Sequence, residues 1–268
     1  IRLCLVGSEM CIRDSFYAIQ EDYKKTGVFK WTPGQWNMGI EMSSLAQNIL
    51  NNLESQPKPG GFLKAFDPLT GETKWSVPIP HYWNGGVLGT AGGLVFQGDA
   101  LGMFSAYDKE TGERLWEFNT YTSMLAPPIT FEIDGEQYVS ILTGSGGGDL
   151  FGGEPLPPIE IQASLTYNNF GRLLVFKLGG KETLPIPNVR DKTIPEQQLM
   201  QVSIDQLQDG ESKYNQNCAV CHGFVVKSAG GIPDLRKMTA GTHDAFNQIV
   251  LEGLLASNGM ASFSDVLS

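Results

Sequence analysis

A mostly β chain followed by a small all-α domain is the fold class this sequence predicts, on three observations. First, "AFDPLTGETKW" (65–75) and "AYDKETGERLW" (106–116) share Ala, Asp, Thr, Gly, Glu and Trp in register, 41 residues apart from Ala65 to Ala106. A period near 40 fits a four-stranded propeller blade. Second, 32 glycines and 15 prolines in 268 residues, with only 18% charged, suit short strands joined by tight turns. Third, a Cys-X-X-Cys-His in "NQNCAVCHG" (215–223) lies beyond a proline-rich stretch, where the apolar spacing turns helical.

Residues 1–15, "IRLCLVGSEMCIRDS", lack strand alternation, and their apolar run is too short for a signal-peptide core. They resemble a translated sequencing adapter and are read as a non-native prefix; the other reading is a genuine loop or strand. Without them, Cys218 and Cys221 are the cysteines that remain. Within the repeat, "GFLKAF" and "GMFSAY" read as strands. "DPLTGE" and "DKETGE" read as turns, because Asp can accept from backbone amides two residues on and Gly supplies a positive φ. "TKWSVPI" and "RLWEFNT" resume strands. Trp75 and Trp116 are flat surfaces for the neighbouring blade rather than catalysts. "GGLVFQGD" (92–99) and "GEQYVSILTGS" (135–145) are further strands.

From residue 178 the composition changes. "LGGKETLPIPNVRDKTIPEQQ" carries Pro185, Pro187 and Pro195 without a period, and reads as a semi-rigid linker over 179–202. A helix is expected from Ile204, with Leu207, Gly210 and Tyr214 along one face. A second, capped by Thr242, carries Phe246, Ile249 and Val250 at helical spacing, with His243 solvated in its first turn.

Composition excludes some partners. A net charge of −10 and a pI near 4.8 repel phosphate backbones, so nucleic acid is not expected. No apolar run reaches the length of about 18 residues that a transmembrane helix needs, so no such segment is expected. No Walker loop and no dinucleotide-binding glycine fingerprint is present. "GSGGGDL" (144–150) is glycine-rich, but no amphipathic helix follows it.

Cys-X-X-Cys-His is the attachment pattern of c-type haem: both thiols, Cys218 and Cys221, add to the ring, and His222 is held at the iron. A second axial donor is needed on the opposite face, and Met260 in "SNGMASF" (257–263) supplies a soft thioether. A thioredoxin-like pair would want a βαβ context, and a zinc site would need two more ligands than the pattern offers.

The repeat Ala-X-Asp-X-X-Thr-Gly-X-X-X-Trp resembles the tryptophan-docking motif of the quinoprotein alcohol dehydrogenases. "WTPGQWNMG" (31–39), "HYWNGGVLGTAGGLVFQGDALGMFSAYD" (81–108), "APPITFEIDGEQYVSILTGSGGG" (126–148) and "GRLLVFKLGG" (171–180) resemble the same family. The likeness implies the C-terminal blades of an eight-bladed propeller over 16–178. That propeller would bind pyrroloquinoline quinone (PQQ) beside a Ca²⁺ or a lanthanide. Residues 203–268 resemble a class I cytochrome c domain whose C-terminal helix is missing, leaving Tyr214 uncovered. "GIPDLRKM" (231–238) resembles the segment near the haem edge, where Arg236 could pair with a propionate.

By the same resemblance, Trp83 and Asn84 in "HYWNGG" (81–86) contact the quinone, with Gly85 and Gly86 giving it room; His81 is read as structural. Ser145 stands where some members carry Trp, and Asp149 is assigned no catalysis. The family's catalytic aspartate and metal ligands lie upstream of these residues, so no catalytic residue is assigned and this piece alone is expected to be inactive. The implied activity is oxidation of a primary alcohol to an aldehyde in the periplasm, with electrons passing from PQQ to haem c. A cytochrome, a blue-copper protein or a membrane component would take them onward. Two other readings stand beside it. One is a non-enzymatic electron carrier on a degenerate propeller scaffold. The other is a quinoprotein acting on sugars, polyols or polyvinyl alcohol.

Overall fold

The computed structural model describes residues 5–10, 21–31, 37, 39, 61–81, 84–144, 162–168, 171–197, 200–223, 226–228 and 232–267. The chain divides into two compact units. One comprises 1–14, 54–150 and 155–191; the other comprises 15–53, 151–154 and 192–268.

Among its described residues, the first unit holds three antiparallel sheets. β1 (Leu5–Met10), β2 (Gly61–Phe66) and β3 (Thr73–Ile79) form one. β4 (Asn84–Gly89), β5 (Leu94–Asp99), β6 (Met103–Asp108) and β7 (Arg114–Asn119) form the second, in that order. β8 (Ile129–Ile133), β9 (Glu136–Thr143) and β10 (Arg172–Lys177) form the third, with β9 central. Alternation predicts no strand in residues 1–15, yet Leu5–Met10 pair with β2 along its whole length. The free edge of β2 presents unpaired backbone groups, and backbone pairing makes little demand on side chains.

The repeat folds the same way twice. Ala65 faces Trp75 and Ala106 faces Trp116, and each ladder slips register directly after the alanine. In the turns, Asp67 Oδ1 accepts from the amides of Leu69 and Thr70, and Asp108 Oδ1 from those of Glu110 and Thr111. Gly71 and Gly112 follow at φ +72° and +75°, a region that glycine occupies without penalty.

The two tryptophans then diverge. Trp75 is 8% exposed, and its indole Nε1 donates to the Lys109 carbonyl at 2.9 Å. Its ring lies where a side chain on Gly112 would point, 2.7 Å from that position. One repeat thus docks on the turn of the next. Trp116 is 38% exposed and meets aromatic rings instead: Phe118 stacked, Phe104 and Phe176 edge-on.

Two apolar cores result. Leu63, Ala65, Trp75, Ile79, Val95 and Tyr107 join the first two sheets. Phe104, Met124, Val139 and Ile141, with Leu88, Phe96, Leu174 and Phe176 against them, join the second and third.

The stretch read as a linker begins against the blades. Arg190 N–H donates to the Thr166 carbonyl and its guanidinium to the Ser164 carbonyl, both on the short buried helix α2 (Ala163–Thr166). The Asn168 amide donates to the Asn188 carbonyl.

In the second unit, α1 (Glu21–Thr26) precedes the helical segment seen in the sequence. α3 (Ile204–Asn217) begins where the spacing places it. It starts on a capping box: Ser203 Oγ accepts from the Gln206 amide, and Gln206 Oε1 accepts from the Ser203 amide. Its expected apolar face is solvated at Ile204, Leu207 and Gly210; Tyr214 is half-buried. α4 (Ala219–His222), α5 (Ala240–Asp244) and α6 (Phe246–Val250) follow. The cap of α5 is Thr239, whose hydroxyl accepts from the Thr242 amide, so Thr242 lies inside the helix rather than capping it. His243 is half-buried rather than solvated, and its Nε2–H donates to Gln197 Oε1 at 3.2 Å.

Candidate haem-attachment site

Tyr214 closes the last full turn of α3, and its carbonyl accepts from the Cys218 amide at 2.8 Å. The chain turns tightly there: the amides of Cys221 and His222 both donate to the Cys218 carbonyl, at 3.1 and 2.9 Å. Residues three and four apart on such a turn share a face, which brings Cys218, Cys221 and His222 to one side. Both cysteines are free and half-buried. Burial pushes the Cys218 thiol up, and the neighbouring Cys221 adds to it; burial alone raises Cys221.

His222 is buried, and its Nδ1 lies 3.0 Å from the Pro233 carbonyl. A carbonyl only accepts, so Nδ1 carries the proton and Nε2 presents its lone pair. An imidazole fixed in this way through its other nitrogen is prepared to bind a metal. Two free thiols and a histidine of defined tautomer on one turn are the chemistry that covalent haem needs, and these residues fit it.

The turn is supported from several sides. Tyr214 Oη donates to the buried Gly223 carbonyl at 2.6 Å. Burial is the main cause that holds its phenol above the ordinary tyrosine range, with Cys218, Asp234 and Cys221 adding to it. Ser228 Oγ donates to the Ile232 carbonyl, one residue before Pro233. Arg236 is engaged by Asp234 in a two-pronged pair, Nε to Oδ1 at 3.0 Å and Nη2 to Oδ2 at 2.6 Å. That pair lowers the Asp234 carboxyl against the burial that would raise it.

Met260 is half-buried in a pinned loop. Its amide donates to the Leu255 carbonyl at 3.2 Å, after Gly259 at φ +95°. The Phe263 amide returns to the Val250 carbonyl of α6 at 2.8 Å.

The stretch expected to face the quinone is only partly described. Trp83, Ser145 and Asp149 lie outside the described residues, as does the side chain of Asn84, whose backbone pairs β4 with Asp99. Side-chain space at Gly85 is filled by the carbonyls of Gly98, Met124 and Ala126, and at Gly86 by Pro127. These glycines make room for the next loop of the protein, so their spacing does not by itself read as a ligand cradle. His81 is fully buried.

Sequence reasoning names the thiols, His222 and Met260 as the expected haem residues. It misses Pro233, whose place in "GIPD" carries no marker of an acceptor, and the Tyr214 hydroxyl, whose signal is its spacing of four residues from Cys218.

Residues 77–139 match the family model described as glucose/ethanol/alcohol dehydrogenase, beta-propeller domain. Residues 205–268 match that described as cytochrome C oxidase, cbb3-type, subunit III. The chain is 45% identical over 213 residues to quinohemoprotein alcohol dehydrogenase ADH IIB of Pseudomonas putida, covering 77% of this chain and 29% of that protein. It belongs to the quinohaemoprotein alcohol dehydrogenases. The structure of a second member, ADHIIG of Pseudomonas putida HK5, superposes with a TM-score of 0.70 at 32% identity, over 87% of this chain and 33% of that one. Lupanine 17-hydroxylase [cytochrome c] of a Pseudomonas species is 40% identical, over 76% of this chain and 29% of that protein. The chain therefore spans about a third of the length of the curated relatives it matches. Its two family matches fall one in each compact unit.

Proposed function

We propose that this chain is the haem-carrying portion of a periplasmic PQQ-dependent dehydrogenase that oxidises primary alcohols to aldehydes and passes the electrons to haem c. The observation that carries the reading is the Cys218–His222 turn, with His222 Nδ1 committed to Pro233, in the same chain as propeller blades. The quinone supplies two-electron acceptance from the alcohol, beside a Ca²⁺ or lanthanide held elsewhere in the protein, and the haem supplies one-electron transfer to an external acceptor.

This chain's own residues bind and orient. Cys218 and Cys221 would hold the ring covalently, and His222 Nε2 and the Met260 thioether would supply ligands to the iron. Asp234 keeps Arg236 in place, and its guanidinium is the cation proposed to meet a propionate. Trp83 and Asn84 are proposed to face the quinone, with Gly85 and Gly86 setting their backing through the loop behind.

The test is dye-linked oxidation by the full-length protein containing this chain, with ethanol, glucose and polyvinyl alcohol as substrates. Rapid turnover of ethanol with reduction of a covalently bound haem is the expected result. Activity confined to glucose or the polymer would reject the substrate class. A second reading is favoured by the lupanine 17-hydroxylase relative: a site for a bulkier substrate on the same electron path. Adding lupanine to the same assay separates the two.

A further inference from the structure

The residue after His222 is held at both ends. Gly223 N–H donates to the Ala219 carbonyl at 2.8 Å inside α4, and Gly223 C=O accepts from Tyr214 Oη at 2.6 Å. Gly223 is buried and sits at φ +82°, where a side chain would be strained. The imidazole itself is held from another side by Pro233. Two bonds therefore converge on His222: one on its ring, one on the backbone that immediately follows it. The second comes from α3, the helix that also delivers Cys218.

Resting on the haem reading above, we propose that Tyr214 is a positioning residue, whose hydroxyl bond to the Gly223 carbonyl sets the orientation of the His222 imidazole toward the iron. A phenylalanine would fill the same space on α3. It would leave the buried Gly223 carbonyl without its donor, and that carbonyl would turn to find another. That carbonyl lies in the peptide one Cα beyond the His222–Gly223 peptide, so its turning shifts the backbone that carries the imidazole through Gly223. A looser turn would admit water to the haem site, and that would favour the ferric state.

The test compares wild type, Tyr214→Phe and Thr239→Ala in the haem-loaded full-length protein. Thr239→Ala removes a cap in the same compact unit without touching the turn. The readouts are covalent haem content, the g-value spread of the ferric low-spin signal, which reports the imidazole plane, and the midpoint potential. Tyr214→Phe is expected to change the g-value spread and lower the potential, while Thr239→Ala changes neither. Wild-type g-values in Tyr214→Phe at full haem content would overturn the proposal. Should Tyr214→Phe fold poorly, 3-fluorotyrosine at position 214 keeps the ring and strengthens the donor, and must itself shift the g-values; unchanged values overturn the proposal. Absence of covalent haem from the wild type would instead reject the haem reading.

Discussion

Asp99, at the end of β5, has burial pushing its carboxyl up to about 6 from 3.8, while the amides of Met103, Leu101 and Gly102 pull it down. Its folded pKa is thus raised above its unfolded value. The associated stability is fully present below about pH 4 and is lost as pH rises through 6. The gap corresponds to at most about 3 kcal/mol by pH 7. Asp99→Asn keeps an acceptor for the Met103 amide, bonded at 2.8 Å, and removes the charge. It should raise stability at pH 7.5 and change it little at pH 4.5, read from denaturant midpoints at both. An equal effect at the two pH values would reject burial as the cause. Nothing in "FQGDALG" marks Asp99 as unusual, because its environment is made by the loop from Thr120 to Met124, whose Met124 amide reaches the Asp99 carbonyl. Met260 is the opposite case: a methionine after a glycine, beyond a Cys-X-X-Cys-His, stands out from the sequence alone as a candidate axial donor, since haem ligation leaves few residue types to choose from. Met260→Leu preserves volume and removes the sulfur; the haem midpoint potential should fall, and a redox titration of the full-length protein checks it.

Between turn and sheet, the repeat itself was legible, because Asp-X-X-Thr-Gly specifies a local conformation that needs no distant partner. What surrounds each copy was not. Gly71 and Gly112 occupy the same motif position at nearly the same φ, yet a side chain on Gly71 would meet nothing within 4 Å, and one on Gly112 would strike Trp75. Gly71→Ala should therefore cost only the left-handed backbone penalty, about 1–2 kcal/mol. Gly112→Ala adds the displacement of a buried indole, a further ~1–3 kcal/mol, and breaks the bond from Trp75 to Lys109. Denaturant midpoints of the two variants give the comparison, and equal losses would mean that Trp75 does not dock on Gly112. The helix caps show the same limit. Thr239 and Thr242 stand three apart, and either hydroxyl suits a cap. The choice falls to Thr239 because it is the residue with extended backbone, while Thr242 supplies the amide.

Across the first unit, each sheet buries one face on its neighbour. The third sheet turns Val139, Ile141, Leu174 and Phe176 onto the second. Strand alternation then forces Leu142, Leu173 and Val175 to the other side, where they are 60%, 62% and 52% exposed. Leu142 and Leu173 are register partners, and Val175 is one pleat further along β10, so the three form a continuous apolar strip. β10, "RLLVFK", has apolar residues at four successive positions, and a strand's period of two is what makes both faces greasy. A strip of this kind beside an open strand edge favours association. The 268-residue chain should therefore sediment as a concentration-dependent mixture. The double substitution Leu173→Lys, Val175→Lys should restore a single monomeric species. Leu174 and Phe176 continue to fill the core from the opposite face, so the variant retains its strand content by circular dichroism. A wild-type chain that stays monomeric over a hundredfold range of concentration would show that the strip is tolerated in water, and the sheet would need no cover.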